Sequence, residues 1–133
     1  MFNIDPISPD SNCINTIYQC LEKINEGSFG YIYRGINLVK NSEIAIKIEK
    51  PTEKAKSSLA REAKILRTLQ NIPGIPEIYW CGKDKNLECK AMVLELLGKS
   101  LYERLKKTEK FSLRTILLLA EQLVEILKNV HSR

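Results

Sequence analysis

Asn25-Glu26-Gly27-Ser28-Phe29-Gly30-Tyr31-Ile32-Tyr33 decides how the chain is read, because a glycine-rich turn runs here into β-branched and aromatic residues. A dinucleotide-binding turn needs a strand before it and a helix after it. A second strand after the turn makes a hairpin instead. The extended segments are Ile17 to Asn25 and Tyr31 to Leu38, and Lys40-Asn41-Ser42 turns the chain into a third, Glu43 to Glu49. That third segment alternates Ile44, Ile46 and Ile48 with Ala45, Lys47 and Glu49, a period of two with one apolar face. Three antiparallel strands are predicted.

Outward from this meander, Ala55 to Leu69 carries Leu59, Ala63, Leu66 and Leu69 at helical spacing, and Pro73, Gly74 and Pro76 stop it. Two more strands, Glu77 to Gly82 and Leu87 to Leu96, flank the polar turn Lys83 to Asn86. A short helix from Ser100 to Lys106 and a long one from Leu113 to His131 follow. Residues 1–15 hold Pro6, Pro9 and a polar stretch without a period, and are expected to form a loose leader. The expected fold is α+β: a five-stranded antiparallel sheet with one helix over residues 16–94, a connector at 95–99 and two helices over 100–133.

Composition narrows the functional classes. The chain has 133 residues with a net charge of +5, enough for one domain with a real core. Its longest apolar run, Ile116 to Ala120, is far below the ~20 residues of a membrane helix. The first residues lack a basic and apolar signal pattern, so an intracellular placement, cytoplasmic or nuclear, is expected. Cys13, Cys20, Cys81 and Cys89 have no zinc-knuckle spacing, and the one histidine, His131, has no triad partners in view, so no metal site is expected. Residues 50–67 concentrate Lys50, Lys54, Lys56, Arg61, Lys64 and Arg67 against Glu53 and Glu62, but no aromatic residue lies among them to stack on bases. Nucleic-acid binding is therefore disfavoured.

The last helix is apolar over most of its circumference. Between Ile116 and Val130 its polar residues Glu121, Gln122, Glu125, Lys128 and Asn129 form one narrow stripe, read as solvated. Each large apolar side chain left exposed forfeits ~1.5 to 3 kcal/mol. The helix is thus expected to need covering, by more chain or by a second copy.

Chemistry enters with three residues. Gly98-Lys99-Ser100 resembles the end of a phosphate-binding loop, but Val93 stands where the first glycine belongs. The pattern that holds is a glycine-rich hairpin, then Ala45-Ile46-Lys47 on the third strand, then Glu62 in the following helix. That order is the protein-kinase signature of lid, strand lysine and helix glutamate. Small lid residues admit phosphates, Lys47 offers a fixed cation, and Glu62 orients it by ion pairing.

The resemblance narrows further. Gly27-Ser28-Phe29-Gly30, Gly74-Ile75-Pro76 with Tyr79-Trp80-Cys81-Gly82, Glu95-Leu96-Leu97-Gly98 with Ser100-Leu101, and Phe111-Ser112-Leu113 with Leu117 to Ala120 and Gln122 resemble the casein kinase 1 family from about Thr16 to Arg133. This resemblance implies a serine/threonine protein kinase using Mg-ATP on protein targets with acidic or phosphorylated sites. It implies that Ile24, Ile32 and Ala45 sandwich the adenine, that Leu94 is the gatekeeper, and that the backbones of Glu95 and Leu97 bond the adenine edge. It also implies that Glu103 reaches the ribose and that Ser28 and Phe29 form the lid tip between Gly27 and Gly30. Asn25 replaces the first lid glycine, and Lys99 stands where the family usually has proline. No H-R-D, D-F-G or A-P-E segment occurs in these 133 residues. The catalytic base and the Mg2+ ligands lie in those segments, so the chain alone is expected to be catalytically incomplete. The alternative expectation is a non-catalytic module acting through binding or self-association along helix 113–131.

Overall fold

The computed structural model describes residues 13–28, 30–50, 58–85 and 87–133. The expected leader up to residue 12, the lid-tip Phe29, the start of the first helix at 55–57, much of the basic window, and Asn86 lie outside the described residues.

The strands are β1 (Cys13–Ile14), β2 (Tyr18–Glu26), β3 (Gly30–Asn37), β4 (Ser42–Glu49), β5 (Ile78–Lys83) and β6 (Lys90–Glu95), and the helices are α1 (Ser58–Leu69), α2 (Leu101–Thr108) and α3 (Leu113–His131). All strand pairs are antiparallel, in the order β1-β2-β3-β4-β6-β5. The sheet therefore has six strands, one more than the five expected. The sixth comes from residues 13–14, which fall within the expected leader, and Ile14 is fully buried.

What fixes β1 is remote in sequence. The Asn15 backbone N–H donates to Asp84 Oδ2 at 2.8 Å, and Leu87 N–H donates to Asp84 Oδ1 at 2.8 Å. Asp84 is 3% exposed, so its oxygens must be bonded within the protein, and these bonds draw the two edges of the sheet together. The Tyr18 and Trp80 rings, 6.4 Å apart, span the same closure. The sheet is curled rather than flat.

Alternation along the strands divides the side chains between two cores. Tyr31, Tyr33, Ile44, Ile46, Ile48, Ala91 and Val93 pack inside the curl with Ile14, Tyr18 and Cys20. On the opposite face α1 lays Leu59 and Ala63 over Met92, with Ile78, Cys81 and Leu94 around them. The register places Ile32 opposite Lys47 and Ala45 opposite Leu94 on this second face. Because α1 covers only the β5 and β6 side of it, Ile32, Ala45 and Lys47 are left half-buried.

α3 begins and ends where the sequence pattern places it and has no buried residue. Leu117 is 60% exposed and Val124 65%. Its approach to the sheet is at Gly74, where φ is +89° and an added Cβ would lie 2.5 Å from Ile126 Cδ1. Only glycine fits that turn and that contact together. Of the stripe read from sequence as solvated, Glu121, Gln122, Glu125 and Lys128 are exposed and Asn129 is half-buried; Gln122, Glu125 and Asn129 line an open cavity with Pro73, Gly74 and Ile126.

Candidate functional site

β4 ends in two acts of positioning. Lys47 Nζ donates to Glu62 Oε2 at 2.6 Å, joining the open face of the sheet to α1 across fifteen residues of sequence. The side chains are 26% and 40% exposed. A pair this open contributes at most about 1 kcal/mol of stability, so its consequence is where it holds the ammonium rather than how tightly it holds the fold. Two residues on, Glu49 Oε1 accepts from the Ser58 backbone N–H at 2.8 Å and from Ser58 Oγ at 3.1 Å. A carboxylate at a helix N-terminus satisfies orphan donors and complements the dipole. α1 is thereby tied to one strand at its first turn and again one turn later.

The hairpin between β2 and β3 lies beside this lysine. Gly27 N–H donates to the Gly30 carbonyl at 2.9 Å. A Cβ at Gly30 would collide with the Ile48 carbonyl oxygen, whereas nothing lies within 4 Å of one at Gly27. The hairpin thus needs one glycine to pack onto β4 and keeps open space at the other. Asn25 sits in β2 opposite Ile32, and its Oδ1 accepts from Glu26 N–H at 2.8 Å. Its side chain is thus folded onto its own backbone. Glu26 bonds Lys50 at 2.8 Å and Lys23 at 3.3 Å, and these bonds, Lys50's first, hold its carboxyl below the usual carboxylate range. Lys50 also lies 4.8 Å from the Tyr31 ring centre, so the base of the hairpin is braced from outside.

Ile32, Ala45, Lys47 and Leu94 share the open face, and Ile24 at the β2 irregularity is exposed. At the end of β6, Glu95 N–H donates to the Glu77 carbonyl at 2.8 Å, and Glu95 Oε2 accepts from Glu77 N–H at 3.2 Å. This bracing occupies the Glu95 amide. Leu97 is 60% exposed.

Glu103 is engaged where the sequence reading gave it only a ribose. Its Oε2 accepts from Ser100 N–H at 2.8 Å while its own N–H donates to Ser100 Oγ at 3.1 Å, a capping box at the start of α2. The Ser100 backbone bond, then the Ser100 hydroxyl, hold its carboxyl below the usual range. The signal is present in the sequence, since Ser-x-x-Glu before a helix is the capping-box pattern. The Glu49 cap is not legible there, because it joins residues across a strand and a loop.

A curled antiparallel sheet, one helix fixed to its open face by a lysine–glutamate pair, and a glycine hairpin beside that lysine define a kinase-type N-lobe. The sequence model of the protein kinase domain matches residues 18–133. The chain belongs to the protein kinase family.

A triphosphate fits this face in kind: a glycine hairpin with open space at Gly27 and a positioned ammonium. Among the described residues no three His, Cys, Asp or Glu side chains come together to hold a metal ion. What these residues offer a nucleotide is the ammonium, the hairpin backbone and the apolar side chains of Ile32, Ala45 and Leu94.

Proposed function

We propose that this chain supplies the ATP-binding part of a casein kinase 1-like serine/threonine protein kinase. The observation that carries the reading is the 2.6 Å Lys47–Glu62 pair on the sheet face that also holds Ile32, Ala45 and Leu94, next to the ion-paired Arg34. On that face the adenine lies against Ile24, Ile32 and Ala45, with Leu94 behind it, the Glu95 carbonyl accepting from it and the Leu97 backbone beside it. Lys47 meets the phosphates under the Gly27 to Gly30 lid. Glu103 reaches a ribose with Oε1, since Oε2 serves the cap. ATP supplies the transferable phosphoryl group, and the parent kinase passes it to protein Ser or Thr near acidic or phosphorylated residues. With no catalytic aspartate segment in these residues, the chain alone binds nucleotide and does not transfer phosphate.

Titration with a fluorescent ATP analogue tests the reading. Saturable binding is expected, displaced by ATP and weakened at least about tenfold by Ala45→Phe, which fills the adenine space at a cost above ~1.4 kcal/mol. Equal binding by Ala45→Phe contradicts it. Phosphate transfer to an acidic protein by the purified chain contradicts the second part.

A second reading is favoured by one observation, the exposed leucines of α3: a non-catalytic module that self-associates along 113–131. Micromolar self-association lost on Leu123→Glu with Leu127→Glu supports it, and a monomer at all concentrations overturns it.

A further inference from the structure

The open face of the sheet carries a second charged network besides the Lys47–Glu62 pair. Arg34 stands on β3 opposite Ala45, and alternation puts it on the same face as Ile32, one step farther from the glycine hairpin. Its Nε donates to Glu22 Oε1 on β2 at 2.8 Å, and its Nη1 donates to Glu43 Oε1 on β4 at 2.8 Å. One planar guanidinium fork thus ties three neighbouring strands. Both carboxylate side chains are 60% exposed, so these bonds add little to the stability of the fold. Their consequence lies in what they hold in place.

That is the irregular stretch of β2. Its register against β3 breaks between Cys20 and Glu22 and again between Lys23 and Asn25, so Leu21 and Ile24 stand without a partner residue on β3. Between the two breaks only Glu22 and Lys23 are paired, with Arg34 and Tyr33 opposite them. Such bulges re-aim side chains and interrupt the ladder that would fix them. Ile24 is 49% exposed, and Lys23 bonds along its own strand to Glu26 at 3.3 Å. Glu22 is where this stretch is tied across the open face, through Arg34, to the central strand β4.

We infer that Arg34 is a positioning residue for the adenine: by holding Glu22 against β4 it fixes the bulged stretch of β2, and with it Ile24. The inference rests on the nucleotide reading above, in which Ile24 lies against the adenine. An isoleucine on an interrupted ladder loses conformational freedom when a ring packs on it, and fixing its backbone beforehand lowers that cost. The phosphates meet Lys47, which stands opposite Ile32 and nearer the hairpin, whereas both ends of the Arg34 fork are already taken by carboxylates. Arg34 therefore acts on the base and not on the charge of the ligand.

The test uses the full chain and a fluorescent ATP analogue, displaced by ATP and, separately, by adenosine. Arg34→Ala is expected to weaken both competitors alike, about fivefold or close to 1 kcal/mol, with a cooperative melt retained. Lys47→Met is expected to weaken ATP far more than adenosine. Arg34→Lys, which has the charge but not the fork, should restore only part of the loss. Glu22→Gln, which keeps the side chain's shape, should reproduce most of it, and carries the test if Arg34→Ala does not fold. Variants that bind both competitors as tightly as the parent overturn the inference alone, and so does a loss confined to ATP, because the guanidinium then acts on charge. A parent chain that binds neither competitor overturns the nucleotide reading and the inference with it.

Discussion

Glu49 on β4 caps α1 at Ser58, two residues beyond the Lys47 that holds Glu62 on the same helix. One strand therefore sets both where the helix begins and which way its glutamate points. The lysine–glutamate pair is too exposed to organise this region by its own energy. Its geometry is imposed by the cap on one side and by the packing of Leu59 and Ala63 on Met92 on the other.

The cap is accordingly expected to matter for nucleotide binding although it touches no nucleotide. Glu49→Ala should cost about 0.5 to 2 kcal/mol, the range for lost helix caps, and should loosen the first turn of α1. Amide exchange at Leu59 and Ala60 should accelerate, and ATP-analogue affinity should fall while the sheet's amides stay protected.

Stability and binding should separate on the two faces of the sheet. Ile46 is fully buried inside the curl, and Ile46→Ala should cost roughly 2 to 5 kcal/mol by urea denaturation. Ile32→Ala, on the half-open face, should cost much less stability and more nucleotide affinity.

The two lid glycines should differ in the same way. Gly30→Ala drives a Cβ into the Ile48 carbonyl, backbone that cannot rotate aside, and should destabilise by about 1 to 3 kcal/mol. Gly27→Ala meets nothing and should stay within about 0.5 kcal/mol of the parent. Thermal melts of the two variants decide it.

The Cys20 thiol is pushed up to about 12, first by burial and then by the neighbouring Cys89 and Cys13 thiols. Because the folded value lies above the unfolded one, near 9, the stability linked to the protonated thiol is complete below about pH 9. It is lost as pH rises toward about 12. Urea midpoints should fall between about pH 9 and pH 11, and less steeply in Cys20→Ala. With a thiol reagent at neutral pH, Cys20 should react after the partly exposed Cys13.

Much of this architecture is legible in the sequence. The alternation of Ile44, Ile46 and Ile48 gives β4 its buried face, the apolar run gives α3 its ends, and lid, Lys47 and Glu62 stand in the order that the fold brings together. What is hidden is non-local. β1 is two residues long, too short for any period, and is held by Asp84 from sixty-nine residues away. The strand expected at 87–96 shortens to Lys90–Glu95 because Leu87 N–H turns to Asp84 rather than to a neighbouring strand. The cavity that Gln122, Glu125 and Asn129 line is hidden too, because it exists only once Gly74 meets Ile126.

The most direct test of nucleotide binding on the Lys47 face is thermal unfolding of the purified chain with and without Mg-ATP, beside its Lys47→Met variant. A ligand at a hundred times its Kd stabilises by about 2.7 kcal/mol. The prediction is a clear upward shift of Tm with Mg-ATP in the parent chain. In Lys47→Met that shift should vanish, with the nucleotide-free Tm nearly unchanged. An equal shift in both proteins, or none in a parent chain that melts cooperatively, would contradict it.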